Sequence, residues 1–197
     1  MLTLLTTLAH AAPPLDSQWD RLTSRPVPVE CTEVSDVPWC RSKGVVVGAA
    51  PDQVAEALEA MKEGANAFES VLSVRVIAPN VIHVVLDYPA PLADRDYVAR
   101  YTHTTDGGSH TYSWASVANE GAPETDEAVR LPHFAGSWQL EPHAAGTLVT
   151  YTWNAEIAGS FPTFAYKMAW KKAGHEALKD LAHTRGAQLS APESLAP

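Results

Sequence analysis

The chain is poor in cysteine and in positive charge and has no long apolar run, and each shortage removes a class of function. Of 197 residues only 14 are Lys or Arg against 23 Asp or Glu, a formal net charge of -9. Sequence-independent nucleic-acid binding needs cations clustered on phosphates, and these are scattered, so nucleic acid is excluded as a partner and an anionic membrane exerts no charge attraction. Past the opening residues no stretch reaches the roughly 18 uninterrupted apolar residues of a spanning helix. Two cysteines with no matching Cys or His pair leave a zinc site incomplete. Eight histidines are present, but His175 and His183 are too far apart to chelate from one helix, and no His-Glu-x-x-His occurs. There is no Gly-x-Ser-x-Gly elbow, and Asp106-Gly107-Gly108 is a hairpin turn without the Gly-Lys-Ser/Thr of a phosphate loop. The sequence therefore predicts no catalytic residue, no metal and no cofactor.

What is present is a 46% hydrophobic composition in a length that suits one domain. Residues 1–11 are apolar and end in Ala9-His10-Ala11, a small-x-small pattern that reads as a signal-peptidase site, although no Lys or Arg precedes it. The alternative is an N-terminal extension of a cytoplasmic protein. Residues 12–189 form the expected domain and 190–197 a loose tail.

PVPVECTEV and VPWCRSKGVVV make a hairpin with Ser35-Asp36 at the turn. Counting outward sets Val34 against Val37 and Cys31 against Cys40 at a non-hydrogen-bonded position, where Cα atoms lie roughly 4.5 Å apart, within reach of a disulfide. Such a bond persists in an oxidising compartment, which with the signal-like start points to a periplasmic or secreted protein. Two buried thiols are the alternative.

Residues 14–24 read as a short helical or irregular lead. Pro51 opens a helix over 51–63 in which Val54, Leu58 and Met61 recur at helical spacing. The period then shortens to that of strands: VLSVRVIA and VIHVVLDY around Pro79-Asn80, DYVARYTHTT and HTYSWASVANE around Asp106-Gly107-Gly108, and VRLPHFAGSWQLEP and GTLVTYTWNAEIA around His143–Gly146. A long helix over 161–188, with Phe164, Met168, Leu178 and Leu181 broadly on one face, closes the chain. Antiparallel strands followed by one long helix predict an α+β fold, and a curled sheet around such a helix leaves a concave apolar space.

Three features resemble the START domains of lipid-binding and lipid-transfer proteins, in the single-domain bacterial form, within the Bet v 1-like or SRPBCC superfamily. PAPLADRDYV, residues 89–98, is similar to the family's Pro-x-Pro-Leu then Arg-Asp-aromatic-Val entry to a central strand. GSWQLEPHAAGTLVTYTWNAEIAGSFPTF, residues 136–164, is similar to its Gly-x-Trp and Gly-Thr-x-Val strand pair leading into the last helix. The element order matches as well. The resemblance implies a helix-grip fold, a curved antiparallel sheet wrapped around the long C-terminal helix with an internal cavity. It implies binding and carriage of a lipid or other hydrophobic molecule by a monomer that touches membranes transiently. Two departures stand out: the last strand ends in Ala-Glu-Ile-Ala-Gly, and Tyr101 occupies the position where several relatives hold a basic cavity residue.

Alternation along strands puts Tyr97, Tyr101 and His103 on one face, with Tyr112 and Trp114, then Trp138, then Tyr151 and Trp153 on the neighbouring strands. Together with Phe164 and Met168 of the helix these are the expected cavity wall, a set of rings with few polar atoms suited to an apolar ligand. Adjacent Arg95 and Asp96 point to opposite faces, so each needs its own partner, and the expected role is structural, Arg95 tying the preceding loop to the sheet. Two other readings stay open: a cyclase- or aromatase-like enzyme using Tyr101 and His103 as acid and base, and an exported interaction domain whose core fills the cavity.

Overall fold

The computed structural model describes residues 12–14, 17–64, 68–88, 92–118, 121–159, 162 and 165–192. The expected signal segment, Phe164 and residues 193–197 lie outside the described residues.

The cysteine hairpin forms as counted. β2 (Val29–Val34) and β3 (Val37–Val47) pair with Cys31 opposite Cys40 and Val34 opposite Val37. Ser35 and Asp36 both adopt positive φ, 52° and 63°, the backbone that matches the twist of a two-residue hairpin. The two sulfurs are bonded across a Cα separation of 4.1 Å. The lead segment is not helical: Asp20–Thr23 forms strand β1 on the outer side of β2. Backbone pairing with β2 and the packing of Leu22 on the core hold it there, and Glu30 of β2 adds a cross-strand contact to Arg21 of β1 at 3.2 Å and to Arg41 of β3 at 2.8 Å.

α1 (Pro51–Lys62) starts where proline predicts, and the Gln53 side chain accepts the Ala50 N–H at 2.8 Å. Its buried face carries Val54, Leu58 and Met61. β4 (Val71–Ala78), β5 (Val81–Leu86), β6 (Asp94–Asp106) and β7 (Ser109–Ser116) come next as antiparallel neighbours. The segment expected as one strand from Val129 breaks at Pro132. Before the break, β8 (Ala128–Arg130) pairs in parallel with the start of β6; after it, β9 (Ala135–His143) pairs with β7 and with β10 (Gly146–Asn154). β10 pairs with β3, so the sheet order is β1-β2-β3-β10-β9-β7-β6-β5-β4.

α2 (Tyr166–His183) is shorter than the expected 161–188. It ends where the Ala187 N–H bonds back to the Ala182 carbonyl at 3.1 Å, and Gln188–Ser190 then forms β11 alongside β3, so Ser190 belongs to the sheet and not to the tail. The buried residues of α2 begin only at Gly174 and continue through Leu178, Asp180, Leu181 and Ala182. At Gly174 the helix comes so close to the sheet that a Cβ would lie 2.9 Å from the Trp153 ring and 3.0 Å from Val29. No helix among the described residues is long and apolar enough to cross a membrane. The result is the α+β helix-grip arrangement, one curved sheet closed over by α2 with α1 at its other end.

Candidate functional site

The period of two along β6 sorts its side chains as expected. Arg95, Tyr97 and Tyr101 go to the concave side, Asp96 and Val98 to the other. Arg95 is 1% exposed and donates to the carbonyls of Ile157 (3.1 Å), Ala158 (3.0 Å) and Ala93, with its guanidinium over the Tyr88 ring. It thus joins the loop before β6 to the junction between β10 and α2. Asp96, on the opposite face, accepts from Arg130 at 2.8 and 2.7 Å and meets His83 at 2.7 Å. Burial alone would raise its pKa, but the Arg130 and His83 bonds prevail and hold it below the usual carboxylate range.

Between the concave face and α2 lies a cavity of about 520 Å³. Tyr97 and Tyr101 of β6, Trp114 of β7, Trp138 of β9, and Tyr151 and Trp153 of β10 line it. The rings form a continuous stack: Trp153 on Tyr151 at 4.7 Å, Tyr151 on Trp138 at 4.1 Å, and Trp114 facing both Tyr151 and Tyr101 at about 6 Å. Burial pushes the phenols of Tyr97, Tyr101 and Tyr151 upward, so all three remain neutral at physiological pH.

One glycine makes this wall flat. Gly136 of β9 faces Trp114 across the strands, and a Cβ on it would lie 2.4 Å from Trp114 Cζ2 and 2.4 Å from the Thr152 carbonyl oxygen. Because there is no side chain at this position, the indole lies down over the backbone instead of filling the space in front of it.

Met168 of α2 also borders the cavity while remaining 68% exposed, which places it at the rim. Asp87, Glu156, Lys172 and Glu176 border it too, the last two paired at 2.7 Å. Several wall residues carry no signal in the sequence: Phe68, Leu86, Leu131 and Phe134 sit in turns or at strand ends, where no period marks them as inward. Phe134 packs on Tyr97 at 4.5 Å.

His103 and Tyr112, expected in the wall, do not line the cavity. They occupy the correct face, but one step farther along the β6–β7 ladder than Tyr101 and Trp114, where α1 covers the sheet. There His103 stacks on Tyr112 at 4.0 Å and joins a chain of polar contacts: Glu59 to His103 Nδ1 (3.0 Å), His103 Nε2 to His110 Nδ1 (3.0 Å), and His110 Nε2 to Asp52 (2.8 Å). Burial lowers the pKa of His103, with His110 and Lys62 acting in the same direction and Glu59 against. The four side chains contact one another in a chain, and neither they nor any other group of three or more His, Cys, Asp or Glu among the described residues is arranged to hold a metal ion.

The START domain family model matches residues 16–191. Among solved structures, a STAR-related lipid transfer protein from Xanthomonas axonopodis is 24% identical, with a TM-score of 0.69 over 84% of this chain and 97% of that one. Human STARD10 is 16% identical, with a TM-score of 0.67 over 85% of this chain and 74% of that one. The Zhui aromatase/cyclase from Streptomyces is more distant, 15% identical with a TM-score of 0.50 over 75% and 94% of the two chains. At these identities the structural likenesses show the fold. No curated protein matches the sequence.

Proposed function

The chain belongs to the START domain family, and from that premise we propose that it binds a single lipid or other hydrophobic small molecule in its cavity and carries or presents it without transforming it. The observation that carries this reading is the cavity of about 520 Å³ walled by stacked aromatic rings. It lies well within the roughly 300–1,000 Å³ of ligand sites, which argues against a core filled by its own side chains. At native packing density such a space takes on the order of two dozen non-hydrogen atoms, enough for one acyl chain or a flat polycycle. Entry is past the rim at Met168, a large apolar side chain of α2 that is left exposed beside the cavity.

The enzymatic alternative needs Tyr101 and His103 to act together. Tyr101 borders the cavity, whereas His103 is engaged by Glu59 and His110 beneath α1, so the two do not converge on one reacting atom. The disulfide supports placing the protein in an oxidising compartment, the periplasm or beyond. Native mass spectrometry of protein purified from its own host tests the proposal. A retained hydrophobic ligand is expected; a protein that is consistently empty and refuses every lipid, sterol and polycyclic compound offered would overturn it.

A further inference from the structure

Three of the rings that wall the cavity carry a hydroxyl: Tyr97 and Tyr101 on β6 and Tyr151 on β10. Tyr112 Oη and Trp114 Nε1 are enclosed by protein without a partner, but none of these three hydroxyls is enclosed in that way. Tyr151 shows the difference most clearly. Its hydroxyl has no hydrogen-bond partner among the described residues and yet is not shut in, so the oxygen faces open space. The ring lies between Trp138 at 4.1 Å and Trp153 at 4.7 Å on the concave face of the sheet, and the space it faces is the cavity.

Tyr97 and Tyr101, four residues apart on one face of β6, join their hydroxyls in a hydrogen bond. One bond uses one of their two protons. The second proton and that of Tyr151 meet no acceptor among the described residues. With Tyr97 and Tyr101 only 5% and 4% exposed, whatever fills the cavity must supply the acceptors. Burial keeps all three phenols protonated, so both spare donors persist at physiological pH.

The surrounding charges define what these donors can meet. The one cation bordering the cavity, among the described residues, is Lys172, already paired with Glu176, while Asp87 and Glu156 add negative charge. Arg95 is directed at the Ile157, Ala158 and Ala93 carbonyls and does not border the cavity. A carboxylate or phosphate carried to the tyrosines would find no counter-ion, whereas a ketone, ester or hydroxyl oxygen offers lone pairs without charge. A ligand with no oxygen there would displace water from the hydroxyls and strand their protons.

Taking the cavity as a ligand site, we infer that the Tyr97–Tyr101 pair and Tyr151 determine its specificity: their hydroxyls donate to an uncharged oxygen, carbonyl or hydroxyl, on an otherwise hydrophobic ligand.

The test uses the full chain, the variant Tyr97→Phe/Tyr101→Phe/Tyr151→Phe, which keeps every ring, and equilibrium dialysis of two flat probes. Fluorenone carries a carbonyl; fluorene has a methylene in its place. The triple variant should bind fluorenone more weakly than wild type by about 5-fold or more, as loss of two hydrogen bonds would cause, and fluorene no more weakly. The infrared carbonyl stretch of fluorenone bound to wild type should lie below its value in hexane and rise in the variant. A smaller loss, an equal loss for fluorene, or an unshifted stretch in wild type overturns the inference and leaves the cavity reading intact. Fluorene-9-carboxylate, which sets a charge where the carbonyl stood, should bind wild type more weakly than fluorenone; tighter binding overturns the restriction to uncharged groups. Thermal melts show whether the triple variant is folded. If it is not, Tyr151→Phe decides, with a loss of about 2-fold or more expected for fluorenone alone and no loss overturning the inference. Failure of the wild type to bind either probe, or any lipid, overturns the cavity reading itself.

Discussion

Replacing Gly136 by alanine puts a single methyl group at the most crowded point of the cavity wall. Its Cβ would lie 2.4 Å from both Trp114 Cζ2 and the Thr152 carbonyl oxygen, where carbon contacts relax only at about 3.5 Å. The ring can retreat into the cavity, but the Thr152 carbonyl belongs to the β9–β10 ladder and moves only if the strands do. Overpacking of this kind costs about 1–3 kcal/mol, and a backbone partner puts the value near the upper end. Alanine recovers about 0.5–1 kcal/mol of the strand penalty of glycine, leaving about 2 kcal/mol of destabilisation. For a chain of this size that corresponds to a fall in Tm of about 4–8 °C by differential scanning calorimetry. The same substitution in a Trp114→Phe background should cost at least about 0.5 kcal/mol less, because part of the clash is with the indole edge. A Tm within about 1 °C of wild type, or additive costs in the two backgrounds, would refute the claim that the absent side chain seats the tryptophan.

The disulfide closes a loop with a sequence separation of 9, and on the chain-entropy account its removal costs about 2.6 kcal/mol. Urea denaturation of Cys31→Ala/Cys40→Ala should show that loss, and a difference below about 0.5 kcal/mol would show that the hairpin needs no staple. Asp96 has a lowered folded pKa, so its contribution is present above the unfolded pKa and disappears as pH falls through the folded value. Asp96→Asn should therefore be destabilised at pH 7, by about 2–4 kcal/mol, and flatter than wild type in acid; parallel pH–stability curves would count against the network. Asp180 has the opposite sign: burial raises its pKa, although its carboxylate accepts the Glu69 N–H, so the protein gains stability at this site as pH falls through the folded pKa. Asp180→Asn, which keeps an acceptor oxygen and removes the charge, should lose no stability at pH 7, and a marked loss would contradict the sign. Met168→Glu should leave Tm within about 1 °C, because the side chain is mostly exposed, and weaken binding of an apolar probe at the rim; unchanged affinity would move the entrance elsewhere.

The inward rings were legible because strand alternation needs no tertiary knowledge. Tyr97, Tyr101, Trp114, Trp138, Tyr151 and Trp153 share a face by counting alone, and all six border the cavity. How far the cavity extends along that face is set by the elements that pack on it, so His103 and Tyr112, equally inward by period, lie beneath α1 instead. β1 was illegible for another reason: Asp20–Thr23 is too short to show a period, and its strand character comes from its pairing with the outer side of β2. The three residues of β8 gain strand character only from their parallel pairing with β6, although Pro132 could have marked the break after them. Likewise, α2 stops short of Gln188 because the residues after it pair with β3, a long-range contact that a helical pattern does not register.

The uneven burial of α2 has a kinetic consequence. Its first two turns carry no fully buried residue; there Trp170 packs against the core and its indole donates to the Ala155 carbonyl at 2.9 Å, a bond worth about 1 kcal/mol net. From Gly174 onward, Leu178 and Leu181 are fully buried, at about 1.5–3 kcal/mol each, and the pairing of β11 with β3 anchors the chain beyond the helix. The helix is therefore two units of unequal strength, and the weaker can unwind while the stronger stays docked. Amides of residues 168–173 should exchange by local fraying that is insensitive to low denaturant, whereas those of residues 178–182 should track global unfolding. How long a bound molecule stays would then be governed by the fraying half alone, so that release can be fast in a protein that is otherwise slow to unfold.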